Sequence, residues 1–457
     1  MTTPALDRPD DFLWGAATSA YQIEGAPLAD GAGPSIWHRF AHTPGRILNG
    51  DTGDVACDHY HRYQEDVALM AELGLNAYRF SVAWARVLPE GRGRVNARGL
   101  DFYQRLVDTL LAHGIEPMLT LYHWDLPEAL DAEGGWTHAR SPHWLADYAQ
   151  VLYRALGDRV RYWITLNEPW VITVGGYLDG TLAPGLRDPR LAPIVAHHLL
   201  QAHAQALAAG RAEGIERIGL AVNLEPQDPA SDRPEDVAAT GRRDAFINRW
   251  FLDPLYRGRY PVELAAIFGE DWPDWSDAAL DSLRAPPDFI GVNYYSRRVV
   301  AHDPSAGPVG ARTVRQQRRP HTAMDWEVYP WGLTRILDWV RERYGNPPIH
   351  ITENGAACAD PPPIEGRVLD PGRIVYLRTH LLAARRAQDR GVDLRGYFAW
   401  SLLDNLEWSL GYSKRFGLIH VDFATQRRTI KDSGHTYRDL IRSGILRTPS
   451  RPVDPRR

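Results

Sequence analysis

The sequence predicts an α/β fold, a single (β/α)8 (TIM) barrel with long βα loops, and three observations carry that prediction. Eight short apolar runs recur along the chain, and amphipathic stretches of helical length lie between most of them. Continuous apolar strands alternating with helices describe a parallel sheet covered on both faces, and eight such units close it into a barrel. The chain has 457 residues, against ~250 for a typical barrel of this kind, which assigns the surplus to loops.

The expected strands, in order, run over 12–18, 77–82, 117–122, 162–166, 218–222, 289–294, 349–352 and 396–400. Each is short, apolar and bounded by Gly, Pro, Asn or Asp, the punctuation of a buried strand. Helical periodicity places helices over 62–73 after the first strand, 98–113 after the second and 142–156 after the third. Further helices are expected over 192–213 after the fourth strand, 331–344 after the sixth and 371–390 after the seventh. The long loops fall at 24–60, 295–329 and 355–371, all rich in Gly, Pro, Asp and Arg. One barrel domain is expected over 1–447, with a disordered tail over 448–457.

Composition narrows the function classes. The net charge is -5, so the chain has no electrostatic attraction to nucleic acid or to an anionic membrane. The basic residues are nearly all arginine, Lys414 and Lys431 being the exceptions, a bias we read as genomic. Met1 to Asp11 lacks a basic segment followed by an apolar run, and no stretch approaches ~18 uninterrupted apolar residues. Cys57 and Cys358 are too few for a disulfide framework. A cytoplasmic protein with two free thiols is expected. Most of the 16 tryptophans and 20 tyrosines are expected in the core, and a minority at strand ends suit the apolar faces of pyranose rings.

Two carboxylates stand out. Glu168, in Leu166-Asn167-Glu168-Pro169, and Glu353, in Thr352-Glu353-Asn354-Gly355, each end an apolar strand and precede a loop signal. In a barrel both lie at the C-terminal face, where active sites are built. The chemistry that most needs two carboxylates is glycosidic bond cleavage.

At these residues the chain resembles glycoside hydrolase family 1, the β-glucosidase family. The resemblance spans about 11–441 and rests on motifs in family order. They are Phe12-Leu13-Trp14-Gly15-Ala16, Tyr78-Arg79-Phe80-Ser81, Tyr122-His123-Trp124-Asp125, Asn167-Glu168-Pro169, Asn293-Tyr294-Tyr295, Thr352-Glu353-Asn354-Gly355 and Asn405-Leu406-Glu407-Trp408. The resemblance implies Glu353 as nucleophile and Glu168 as acid/base, with Arg79 beside the nucleophile and Tyr295 hydrogen-bonded to it. It implies Gln22, His123, Trp124, Asn167, Asn293, Trp400, Glu407 and Trp408 as contacts to the sugar. Asn167 would hold the 2-hydroxyl, Glu407 the 4- and 6-hydroxyls, and Trp400 would lie under the ring. For Asn293, orienting Tyr295 and the groups behind the sugar contacts is the alternative to touching sugar.

The resemblance implies a retaining exo-β-glycosidase, a β-glucosidase with side activity on β-galactosides or β-fucosides, acting on small β-glycosides or cello-oligosaccharides without cofactor or metal. The alternative within the class is a 6-phospho-β-glycosidase; outside it, a non-catalytic sugar-binding barrel. His59, His61, His197, His198 and His203 lack a metal-ligand pattern and are expected to be structural. The Arg312 to Arg319 stretch is expected to face solvent, and Cys358 to be inert. The chain departs from the family pattern at Asp325, Trp331 and Thr436, which bears on the aglycone side and not on the reaction.

Overall fold

The computed structural model describes residues 12–446. The segment 1–11 and the tail expected over 448–457 lie outside the described residues. Eight parallel strands close into a barrel: β1 Leu13–Ala17, β2 Ala77–Ser81, β3 Glu116–Tyr122, β4 Tyr162–Asn167, β5 Ile218–Asn223, β6 Phe289–Asn293, β7 Ile349–Asn354 and β8 Leu394–Trp400. Each pairs with its sequence neighbours, and β8 closes on β1 through Ala17 opposite Trp400. All eight coincide with the apolar runs, because a strand buried on both faces leaves no polar alternation to misread.

The interior is filled by side chains contributed around the ring, among them Leu13, Ala77, Met118, Ile164, Phe289 and Phe398. Two glycines make room for the rings: a Cβ at Gly15 would lie 2.3 Å from the Phe398 ring, and one at Gly219 would lie 2.3 Å from the Phe289 ring. This lower layer is a packed core, so a ligand can enter only above it, at the strand ends.

The outer helices are α1 His59–Glu72, α2 Ala97–Ala112, α3 Ser141–Leu156, α4 Leu191–Ala212, α5 Pro330–Tyr344, α6 Pro371–Asp389 and α7 Asp432–Arg442. In α2 the buried residues Phe102, Tyr103, Leu106, Val107 and Leu110 form one stripe at helical spacing. Proline opens α5 and α6, where its missing N–H costs nothing. The last helix was not expected from periodicity. Its Tyr437 hydroxyl donates to the carbonyl of Gly15 at 2.9 Å, tying the chain end to the first strand.

Two further stretches differ from expectation. Between β5 and β6 the chain forms helices Pro234–Asp244, Leu252–Arg257 and Val262–Phe268. The first buries only Asp236 and Ala239, so it has no apolar stripe to read, and Pro254, Gly258 and Pro261 break up the rest. Within the loop expected over 295–329, strands Arg298–His302 and Ala311–Thr313 join Gln227–Pro229 in a three-stranded sheet beside the barrel mouth. Arg312, Arg315 and Arg319 on this loop are exposed and pair with Asp303, Asp325 and Glu327. No helix among the described residues is long and apolar enough to cross a membrane.

Candidate active site

The strand ends set the catalytic geometry. Glu168 follows β4 with φ 48°, in the left-handed region. Its N–H donates to Ala221 on β5, and its carbonyl accepts from Val171, the first turn of a short helix opened by Pro169. A non-glycine residue held there by bonds on both sides is strain of a kind concentrated at functional sites. Glu353 lies near the end of β7, in register with Asn293 of β6 beyond a register shift. Its carbonyl accepts from Tyr294 N at 3.0 Å.

A continuous hydrogen-bond chain joins the two carboxylates. Arg79, fully buried on β2, donates from Nη1 to Glu353 Oε1 at 2.6 Å and from Nη2 to Asn167 Oδ1 at 2.6 Å. Asn293 Nδ2 donates to Asn167 Oδ1 at 3.0 Å and to Glu168 Oε1 at 2.7 Å. Thr352 Oγ1 donates to Asn293 Oδ1 at 2.6 Å, which fixes the orientation of that amide. Asn293 thus binds Asn167, Glu168 and Thr352, and it makes no bond to Tyr295. The Tyr295 hydroxyl donates to Glu353 Oε2 at 2.5 Å.

These contacts make the two carboxyls unequal. Glu168 is pushed up to about 8, first by burial and next by the charge of Glu353; the Asn293 amide and the more distant Arg79 only partly offset this. Burial pushes the Glu353 carboxyl up too, but the Arg79 charge and the Tyr295 hydroxyl oppose it at contact distance. The proton therefore resides on Glu168 and the charge on Glu353. Two carboxylates whose environments separate their proton affinities are how an acid and a nucleophile coexist at neutral pH.

The other expected residues are bonded or stacked on one another around this pair. Asn167 Nδ2 meets His123 Nε2 at 3.0 Å, while His123 Nδ1 is buried without a partner among the described residues. Burial and the Arg79 charge hold His123 well below the usual histidine range, so it is neutral. Glu407 Oε2 is also buried and unpartnered, and its carboxyl is pushed up to about 8, chiefly by burial. An unmet buried polar atom is costly, and both atoms are open to a further hydrogen bond. Trp408 lies with its ring centroid 4.6 Å from Trp124 and 4.4 Å from Trp37, and the Trp400 ring stacks 6.0 Å from His123. The Trp124 indole donates to Asn167 O at 2.9 Å. Gln22 is fully engaged: Nε2 donates to Leu406 O at 2.7 Å and Asn405 Oδ1 at 3.1 Å, and Oε1 accepts from Ser19. In this structure it fixes the segment that carries Glu407.

Sequence reasoning missed the outer half of the site. A cleft opens beside Glu168, Asn293 and Tyr295, lined further by Trp170, Asn223, Glu225, Arg243 and Trp326. Asn223 ends β5 and had the strand-end signal that marked Glu168. Arg243 lies on the helix without an apolar stripe, and no motif marked it. Of the histidines expected to be structural, His59 is bonded to Asp66, His203 to Thr165 and Ala285 O, His197 to Tyr260 and His198 to Trp136 O, while His61 is exposed and meets Asp58. Cys57 is buried and Cys358 half-buried, both free.

The chain matches the model of Glycosyl hydrolase family 1 over residues 6–445. It is 50% identical over 442 residues to Beta-glucosidase A of Thermotoga maritima, covering 96% of this chain and 98% of that one. It is 46% identical over 455 residues to the Bifunctional beta-D-glucosidase/beta-D-fucosidase of Bifidobacterium breve, covering 95% and 98%. The solved structure of the beta-glucosidase from Thermotoga maritima in complex with glucoimidazole superposes with a TM-score of 0.93 at 49% identity, covering 96% of this chain and 99% of that one. With motifs, barrel and paired carboxylates in agreement over nearly its whole length, the chain belongs to glycosyl hydrolase family 1.

Proposed function

We propose that this chain is a retaining β-glucosidase that removes terminal non-reducing β-D-glucosyl residues by double displacement, with side activity on β-fucosides and β-galactosides. The observation that carries the reading is the asymmetry of the two glutamates: Arg79 and Tyr295 hold Glu353, while Glu168 takes only an amide donor. In the first step the Glu353 carboxylate attacks the anomeric carbon, and Glu168 gives its proton to the departing glycosidic oxygen. Forming the ester removes the charge of Glu353, which is one cause of the high proton affinity of Glu168. Glu168 is then the better base. It takes a proton from water as that water attacks the anomeric carbon, and both carboxyls return to their starting states.

His123, Asn167 and Glu407 take the glycone hydroxyls, Gln22 supports that wall, Trp400 lies under the ring and Trp124 and Trp408 wall it. The cleft at Trp170 and Trp326 takes the aglycone or the next sugar of a cello-oligosaccharide. The names of the relatives support glucose as the main glycone and fucose as a secondary one. Neither step as written draws on a cofactor, and a cytoplasmic location fits the free thiols. Proton NMR of the first sugar released from a β-glucoside tests the stereochemistry. The β anomer should appear before mutarotation; initial release of the α anomer overturns the mechanism.

A further inference from the structure

Outside this site, two histidines and an aspartate converge on the loop between β1 and α1. The short helix Ile36–Ala41 buries Ile36, Trp37 and Phe40, which turns His38 outward, and His42 follows one turn later. Asp54 meets them from the next loop segment, which is anchored where its carbonyl accepts from Ala26 N at 2.8 Å. His42 Nε2 lies 3.0 Å from one Asp54 carboxylate oxygen, and His38 Nε2 lies 4.0 Å from the other. One ligand atom from each residue lies within 4.8 Å of the other two. A tetrahedral zinc with bonds of ~2.0–2.1 Å separates its ligands by about 3.3 Å, so rotations of about an ångström close the set.

His42 is already oriented for such a role. Its Nδ1 lies 2.7 Å from the carbonyl oxygen of His38. A carbonyl only accepts, so Nδ1–H donates, which leaves Nε2 facing Asp54. Metal-bound histidines are oriented by this kind of outer hydrogen bond. Arg39, next to His38 in the chain, is engaged elsewhere, with Glu128 and Asp131.

We propose that His38, His42 and Asp54 bind one divalent transition-metal ion, a role separate from the hydrolytic chemistry. Two imidazoles and a carboxylate suit Zn²⁺, Ni²⁺ or Cu²⁺ over Mg²⁺ or Ca²⁺. The bound ion joins two segments that both brace the wall of the sugar pocket. Trp37 of the helix packs against Trp408, and Asp51, three residues before Asp54, accepts from Tyr412 N at 2.9 Å.

The test is calorimetric titration of the chelator-treated full chain with ZnCl₂. One equivalent should bind to the wild type. His38→Ala and His42→Ala should each weaken that binding at least about tenfold, the low end for disturbing a metal shell. His61→Ala, which removes an exposed histidine paired with Asp58, should bind as the wild type does. Metal-free hydrolysis rates should be equal in all four proteins, and Co²⁺ should give the visible bands of a tetrahedral site only where both His38 and His42 are present. Absence of a stoichiometric site in the wild type, or unchanged affinity in both His38→Ala and His42→Ala, overturns the proposal.

Discussion

Arg79 and Glu353, 2.6 Å apart and both buried, form the ion pair on which the site is organised. The same guanidinium reaches Asn167, and through Asn293 the chain of bonds ends on Glu168. One cation thus keeps one carboxylate charged, and that charge together with burial keeps the other protonated. Two like charges ~5–5.5 Å apart, the separation retaining enzymes use, repel by roughly 3 kcal/mol at an effective dielectric near 20.

Removing each carboxyl should have a different effect. Glu353→Ala is expected to abolish turnover of every substrate, because no covalent intermediate can form. Glu168→Ala should lose ~10²–10⁴-fold on poor leaving groups and much less in the first step on activated aryl glucosides. Added azide should restore Glu168→Ala turnover as the β-glycosyl azide. Rescue of Glu353→Ala as the β-azide, with Glu168→Ala giving the α-azide, instead means the two roles are exchanged.

The rate should follow the proton on Glu168. With that carboxyl pushed up to about 8, kcat/KM should decline on the alkaline side as pH rises through this value and the acid is lost. Tyr295→Phe removes the hydroxyl 2.5 Å from Glu353 Oε2. A hydrogen bond to a charged group contributes ~1.5–3 kcal/mol, so kcat/KM should fall roughly ten- to hundredfold. The acid limb should also move to higher pH, because Glu353 then gives up its proton less readily. A Tyr295→Phe profile superimposable on the wild type contradicts the assigned role of this hydroxyl.

Stability should depend on pH through the same groups. Asp125, Glu168 and Glu407 are all pushed up to about 8, chiefly by burial. Across the interval from their ordinary values near 4 up to about 8, the folded chain keeps protons that the unfolded chain has released. Their contribution is therefore fully present below that interval and is lost as pH rises through it, by up to ~1.4 kcal/mol per pH unit for each group. Glu407→Gln removes one such group. Denaturant midpoints measured from pH 5 to 8 should fall less steeply in this variant; an unchanged slope means Glu407 holds no extra proton.

The 6-position of the glycone gives a further test. On the proposed reading Glu407 faces that position with an unpartnered oxygen, and Lys414, whose charge opposes the effect of burial on this carboxyl, is held by the carbonyl of Ala323 at 2.8 Å. A 6-hydroxyl can donate to this carboxyl, whereas a 6-phosphate meets either its charge or its desolvation cost. 4-Nitrophenyl β-glucoside should exceed its 6-phospho analogue by at least roughly tenfold in kcat/KM, about 1.4 kcal/mol, and Glu407→Gln should narrow the gap. A wild-type preference for the phosphorylated substrate contradicts the glycone assignment.

The barrel was legible because its strands are apolar throughout, and Glu168 and Glu353 were legible because each interrupts such a run at its end. Trp124 and Trp408, both at positive φ, were found only through their motifs, since nothing in local propensity marks an indole that must face a cavity. The helices after β5 were missed because helix Pro234–Asp244 packs against the small side sheet and needs little apolar surface. Arg243 and Trp326 reach the cleft through tertiary packing of segments with no shared pattern. Trp331, one of the departures from the family pattern, is 42% exposed at the start of α5. His38, His42 and Asp54 escaped notice because the helix that carries His38 has only six residues, too few to show a period, and the histidines lie twelve residues or more from the aspartate.

Trapping the covalent intermediate tests the central claim most directly. The wild-type enzyme is incubated with a 2-deoxy-2-fluoro-β-glucosyl fluoride, whose electron-poor ring slows breakdown of the ester, and is then digested and mapped by mass spectrometry. One fluoroglucosyl unit per chain, on Glu353, is the predicted result. A label on Glu168, or turnover and release of fluoride with no glycosylated Glu353 at any time, contradicts the account.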